Sequence, residues 1–175
     1  EGEAKLLPNF QIEIEGETHE ATDILLCTGS SPAIPPIPGV DLEHVVDSTG
    51  ILDRETLPNH LVVVGGGVIG CEFACMYASV GVQVTVLEAM PEICPNLDPE
   101  VSASLRDGLT KKGVTFNLGA KVESISADKV SYADDSGSNE LEADLVLVAT
   151  GRRPNTKNLG LEELGLDIDD RGGVR

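Results

Sequence analysis

The chain has 175 residues, enough for one ordinary domain or for one domain carrying pieces of another. Its 30 acidic residues outweigh 12 basic ones, and the formal net charge of -18 repels phosphate backbones and anionic membrane surfaces. Only Lys111-Lys112 and Arg152-Arg153 stand as adjacent basic pairs, so nucleic acid and lipid head groups are excluded as expected partners.

Apolar residues make up 41%, with no Trp, two Tyr and three Phe, so the core is expected to be filled by Val, Leu, Ile and Ala, as in a buried parallel sheet. No apolar run approaches the roughly 20 residues that span a bilayer, and the start EGEAKLL lacks the character of a signal peptide. Cys27, Cys71, Cys75 and Cys94 show no framework spacing, which fits a reducing compartment. A soluble, cytoplasmic protein is expected. Position 1 is Glu and the chain stops in a Gly-rich stretch, which reads as an internal piece of something longer.

In chain order, Phe10, Ile12 and Ile14 alternate as a strand would, and Ile24 to Cys27 form an apolar run expected as a buried strand ending at Thr28-Gly29. Pro32, Pro35, Pro36 and Pro38 forbid a helix and predict an extended connector. From His60, a β-branched run meets a glycine cluster. Val68 to Val80 then reads as a helix closed by Gly81, and Gln83 to Glu88 as a second strand. Asp98-Pro99-Glu100 predicts a helix start, with Asp as N-cap, Pro in the first turn and Glu suited to the dipole, running to about Lys112 and stopped by Gly113. Val114 to Leu118 is a third strand. Lys121 to Ser126, Lys129 to Ala133 and Glu140 to Ala143 predict a three-stranded antiparallel meander, and Leu145 to Gly151 a final buried strand. Its exit, Thr150-Gly151, echoes Thr28-Gly29, which suggests two related nucleotide-binding layouts or two crossings between such domains.

The chemistry lies in Gly65-x-Gly67-x-x-Gly70, placed directly after a strand and opening a helix. The first Gly permits a tight turn, the second lets the backbone approach a pyrophosphate, and the third lets helix and strand pack closely. Gly66, Val68 and Ile69 complete the loop, whose free amides suit an anion. A dinucleotide is implied. Glu88 ends the second strand, 23 residues after Gly65, where a carboxylate accepts hydrogen bonds from ribose hydroxyls. A 2′-phosphate at about 4 Å would cost roughly 4 kcal/mol at an effective dielectric near 20. No Arg or Lys lies between Arg54 and Arg106 to offset that, so NAD is expected over NADP by about a thousandfold.

Glu72, two residues past Gly70 and flanked by apolar residues, is expected to point into a cleft. Cys71 and Cys75, at helical i, i+4 spacing, suit a disulfide badly and lack further metal ligands, so both read as small core residues. Cys27 and Cys94 show no partner, and His19, His44 and His60 read as surface or loop residues. No general acid-base pair, catalytic residue or metal site is identified.

GGGVIGCE, VTVLE, ATGRRPNT and LCTGSSP together resemble the flavin-dependent pyridine nucleotide-disulfide oxidoreductases. Residues 153 to 173, with VVDSTGIL earlier, look most like the dihydrolipoamide dehydrogenase branch of that family. The resemblance implies an α/β fold: a Rossmann-like NAD-binding domain at 60–148, with a parallel sheet and the antiparallel meander, flanked by partial FAD-domain segments at 1–59 and 149–175. By the same resemblance, Gly65, Gly66, Gly67, Val68, Ile69, Gly70 and Glu88 hold NAD, and Glu72 and Gly151 lie toward its nicotinamide half. Val122 lines the adenine pocket, and Thr28, Gly29, Ser30 and Gly2 touch FAD.

In the family, NAD exchanges hydride with FAD, and FAD exchanges electrons with a cysteine pair in a C-x-x-x-x-C motif, which these residues lack. Also missing are a first FAD-binding glycine fingerprint, a later Gly-Asp segment, and a dimerisation domain with a His-Glu pair. The expectation is a piece that binds NAD but does not turn over by itself. Its parent would oxidise dihydrolipoamide with NAD and FAD, as a homodimer and as part of a 2-oxo acid dehydrogenase complex. The alternatives are a flavin-dependent NADH oxidase or ferredoxin reductase parent, or a non-catalytic NAD-sensing module.

Overall fold

The computed structural model describes residues 2–175, which fall into two compact units, residues 2–31 with 152–175 and residues 32–151. The first unit begins with three antiparallel strands, β1 (Ala4–Leu7), β2 (Gln11–Ile14) and β3 (Glu17–Glu20), in the order β1-β2-β3. Only β2 has an apolar alternation. Every residue of β3 is exposed, so no hydrophobic period announces it. Phe10, expected within the strand, instead sits in the turn before β2, with φ of +57° and its ring exposed.

Residues 24 to 27 do not form the expected buried strand. The segment is irregular, Leu25 is 86% exposed and Cys27 is exposed. An apolar run becomes a strand only where a neighbour completes its backbone hydrogen bonds, and among the described residues none pairs with it. The next strand is β4 (Ser30–Pro32).

In the second unit the proline-rich connector is extended, as predicted, and it leads to a two-residue strand, β5 (Val45–Val46). There follow β6 (His60–Val64), α1 (Val68–Ser79), β7 (Gln83–Glu88), α2 (Pro99–Lys111) and β8 (Val114–Leu118). The meander is β9 (Lys121–Ile125), β10 (Lys129–Asp134) and β11 (Gly137–Glu142), antiparallel in the order β11-β10-β9, and β12 (Leu145–Val148) closes the unit. The last strand, β13 (Arg152–Pro154), pairs with β4.

A parallel sheet runs β5-β12-β6-β7-β8. Both its faces are covered, which is why its strands read as unbroken apolar runs. Leu61, Val63, Val84, Val86, Leu145 and Leu147 pack against the helices, while Val62, Val64, Leu87 and Val146 pack against Ile125, Val130 and Tyr132 of the meander. The connector belongs to this layering, since β5 pairs with β12 and Ile37 lies against the meander-side core.

The chain steps from β6 to β7 to β8 on one side and returns as β12 on the other side of β6. Doubly wound sheets bind ligands outside the carboxyl ends of the strands at such a reversal. The glycine cluster lies there, immediately after β6.

Candidate functional site

Three glycines of the loop answer three separate constraints. Gly65 has φ of +108°, and a Cβ on it would stand 2.6 Å from the Ala149 carbonyl oxygen, so the turn packs directly on the exit of β12. Gly70 is buried in the first turn of α1, where a Cβ would run into the Gly65 carbonyl oxygen. Gly67 is the N-cap of α1, with nothing within 4 Å of its Cβ position, so the space before the helix is open. It also carries no side chain to cap the helix, and the first turn holds no acidic residue. The orphan amides and the positive end of the helix dipole therefore face that space.

Glu88 ends β7 and is buried, and its two carboxylate oxygens have different duties. Oε2 accepts from the Gly66 amide at 2.6 Å, and Oε1 accepts from the Met90 amide at 2.7 Å. Charge-assisted bonds of this length fix both the carboxylate and the middle of the loop. A cavity of about 320 Å³ opens beside them, lined by Ile37, Gly65, Glu88, Lys121, Val122 and Thr150 among others. Gly65, Glu88 and Val122, far apart in sequence, thus line one cavity. Ile37 and Thr150 come to it together, because the Thr150 hydroxyl donates to the Ala33 carbonyl at 3.0 Å and the Ala33 amide donates to the Gly151 carbonyl at 2.9 Å. Gly151 itself has φ of +139° and open space at its Cβ position.

Sequence spacing missed Lys121. The Ala120 amide donates to the Glu88 carbonyl at 2.9 Å, which sets the start of β9 beside the end of β7 and brings a cation to a cavity where none was expected. The only sequence signal was its place next to Val122.

Glu72 is exposed on the surface of α1 and does not point into a cleft. The helix buries Gly70, Cys71, Ala74 and Tyr77, and residue 72 lies on the opposite side of that stripe. Cys71 is buried as expected and Cys75 partly so, but Cys94 does have a neighbour: its Sγ lies 4.0 Å from that of Cys71. Burial, followed by the proximity of Cys94, pushes the Cys71 thiol up to about 12. His60 opens β6 rather than a loop. Its Nε2 lies 2.9 Å from the Thr85 hydroxyl, and burial lowers its pKa against the opposing pull of Asp144.

In the other unit, Thr28, Gly29 and Ser30 are held by the return segment. The Asn155 side-chain amide donates to the Thr28 carbonyl and the Asn155 backbone amide to that of Gly29, both at 3.0 Å, while Arg152 Nε donates to the Ser30 hydroxyl at 2.8 Å. Gly2 is apart from these contacts, beside the Glu15 side chain, where an added Cβ would meet Glu15 Cγ at 2.8 Å.

The architecture is thus a Rossmann-like α/β layout, a parallel sheet with helices on one face and the antiparallel meander on the other, with its glycine loop at the reversal of strand order. The family model described as pyridine nucleotide-disulphide oxidoreductase matches residues 2–175, and the chain belongs to that family. Its relatives include a dihydrolipoyl dehydrogenase 3 of Pseudomonas putida, 47% identical over 161 residues, with 87% of this chain and 34% of the relative covered. A dihydrolipoyl dehydrogenase of Chlamydia muridarum is 39% identical over 99% of this chain and 38% of its own. Among solved structures, the HOCl-induced flavoprotein disulfide reductase RclA from Escherichia coli matches with a TM-score of 0.86 and 35% identity, covering 99% of this chain and 40% of that one. The chain therefore spans between a third and two fifths of the length of these relatives.

Proposed function

We propose that residues 32–151 bind NAD(H), and that the chain is the nucleotide-binding part of a flavin-dependent disulfide oxidoreductase of the dihydrolipoyl dehydrogenase type. One observation carries the reading: Gly65, which opens the glycine loop, the fixed carboxylate of Glu88 and Val122 line one cavity at the reversal of strand order. The residues fit the group. The open space at Gly67 and the free amides of α1 receive a pyrophosphate, Glu88 accepts from the adenosine ribose, and Val122 with Ile37 flanks an adenine face. Gly151, with open space before it, lies on the nicotinamide side, and Glu72, exposed on α1, is read as a contact toward the same half. Bound NAD supplies a hydride acceptor.

Residues 1–31 and 152–175 are read as belonging with a flavin domain and 32–151 as the nucleotide-binding unit, wider than the 60–148 expected from the sequence because β5 and Ile37 pack with it. Thr28, Gly29 and Ser30, pinned by Asn155 and Arg152, are the flavin contacts of this reading. Gly2 fits less well, because a carboxylate neighbour disfavours an approaching phosphate. Turnover needs the redox cysteine pair expected outside these residues, so this chain alone is read as inactive. The names of the relatives, dihydrolipoyl dehydrogenase among them, support a dihydrolipoamide substrate; a homodimer and a place in a 2-oxo acid dehydrogenase complex are further parts of this reading.

Calorimetric titration with NAD+ and with NADP+ tests the reading. Saturable binding of NAD+, with NADP+ weaker, is the expected result, and Glu88→Gln should erode the difference. Equal affinity for both nucleotides, unchanged in the variant, would show that the acid is not at the ribose.

A further inference from the structure

Directly beneath the glycine loop, two buried thiols meet. Cys71 lies in the first turns of α1 and is 4% exposed; Cys94 lies between β7 and α2 and is 3% exposed; their sulfurs stand 4.0 Å apart. Both aim at one acceptor. The Gly66 carbonyl oxygen lies 3.4 Å from Cys71 Sγ and 3.7 Å from Cys94 Sγ, and it also accepts from the Cys94 amide at 2.9 Å. Cys94 is placed by its backbone as well, with φ of +45°, a left-handed conformation uncommon outside glycine, and with its carbonyl accepting from the Ser102 hydroxyl at 3.2 Å. Gly66 is the residue whose amide donates to Glu88. The thiol pair is therefore one hydrogen bond from the loop and two from the acid.

We propose that Cys71 and Cys94 form a reversible dithiol-disulfide pair, oxidised by a small peroxide, and that the disulfide weakens dinucleotide binding at the loop above it. The effect on binding rests on the NAD reading given above; the cross-link itself does not. In the first step the thiolate of one cysteine attacks a peroxide oxygen, the O-O bond breaks, and a sulfenic acid forms while the departing hydroxide takes up the thiol proton as water. The second sulfur then attacks the sulfenic sulfur, the S-O bond breaks, and hydroxide leaves with the second thiol proton. Two thiols and one hydrogen peroxide give one disulfide and two waters, with two electrons passing from the sulfurs to the peroxide oxygens. A dithiol reductant reverses it by exchange.

Forming the bond draws the sulfurs from 4.0 Å to about 2 Å and removes both S-H donors from the Gly66 carbonyl. The contraction ties α1 to the segment after β7, and Gly66 moves with it. Burial keeps the Cys71 thiolate scarce, so the oxidation is slow compared with that of an exposed thiol such as Cys27. Coupling is reciprocal, so a bound nucleotide that prefers the dithiol form also protects it.

The test treats the intact protein with hydrogen peroxide, blocks remaining thiols with iodoacetamide in denaturant, and maps disulfides by mass spectrometry of the digest. The expected product joins the Cys71 and Cys94 peptides, lighter by two hydrogens, and disappears on treatment with dithiothreitol. Calorimetry with NAD+ should show affinity reduced by about tenfold or more in the oxidised protein and recovered on reduction. Cys94→Ser should abolish both effects, whereas the exposed Cys27→Ser should keep them. Alkylated Cys71 and Cys94 after peroxide overturn the proposal outright. A mapped cross-link with unchanged NAD+ affinity overturns the coupling. Failure of the reduced protein to bind NAD+ sinks the nucleotide reading and the coupling with it, while the mass map still decides the cross-link.

Discussion

Glu88 and Lys121, of opposite charge, line one cavity, and on the proposed reading their balance sets its preference between NAD and NADP. A carboxylate at the ribose repels a 2′-phosphate. Lys121 attracts it, although from an exposed position where one charge pair at about 4 Å is worth only ~1 kcal/mol in water. The thousandfold discrimination expected from the acid alone should therefore shrink by roughly fivefold. Lys121→Glu removes the attraction and adds a repulsion. It should weaken NADP+ binding by about an order of magnitude or more and leave NAD+ nearly unchanged, as read by paired titrations. An equal loss for both nucleotides would mean that Lys121 meets the shared pyrophosphate. At this scale the glycines and Glu88 were legible because local backbone geometry dictates residue type at fixed spacing. Lys121 and the Cys71-Cys94 contact were not, because both arise where separate strands and loops come side by side.

Elements with their own end signals were the easiest to read. For α2, Asp98 accepts from the Glu100 amide at 2.9 Å, Pro99 opens the first turn, and Gly113 follows with φ of +94°. The helix faces solvent over most of its length, with Ser102 and Leu109 buried, so capping carries an appreciable part of its stability. Asp98→Ala should destabilise the fold by about 1 kcal/mol, lowering the thermal midpoint by about 2–4 °C. Asp98→Asn should recover most of the loss. An unchanged midpoint for the Ala variant would show that packing alone holds the helix. Elements that borrow their stability were harder. β5 has only two residues and exists because β12 lies beside it, and β3 has no apolar face. Residues 24–27 are the converse, an apolar sequence suited to a strand without a neighbour to make it one.

Across the whole molecule, charge works against compactness. A net charge of -18 on 175 residues places many carboxylates within interaction range, while the five ion pairs among the described residues all involve partly exposed side chains. Exposed pairs contribute about 0–1 kcal/mol each and weaken with salt. The repulsion of the excess acids acts over longer distances and is screened more completely, since the Debye length falls to about 10 Å at 0.1 M. Raising sodium chloride from about 0.02 to 0.2 M should therefore stabilise the chain, by about 1 kcal/mol or 2–4 °C in thermal midpoint. Scanning calorimetry at fixed pH reads the sign directly. A midpoint that falls with salt would show that local pairs such as Arg106 with Glu92, at 3.0 Å and half-buried, outweigh the general repulsion. A rise would mean that the apolar sheet, covered on both faces, holds this chain together despite its charge.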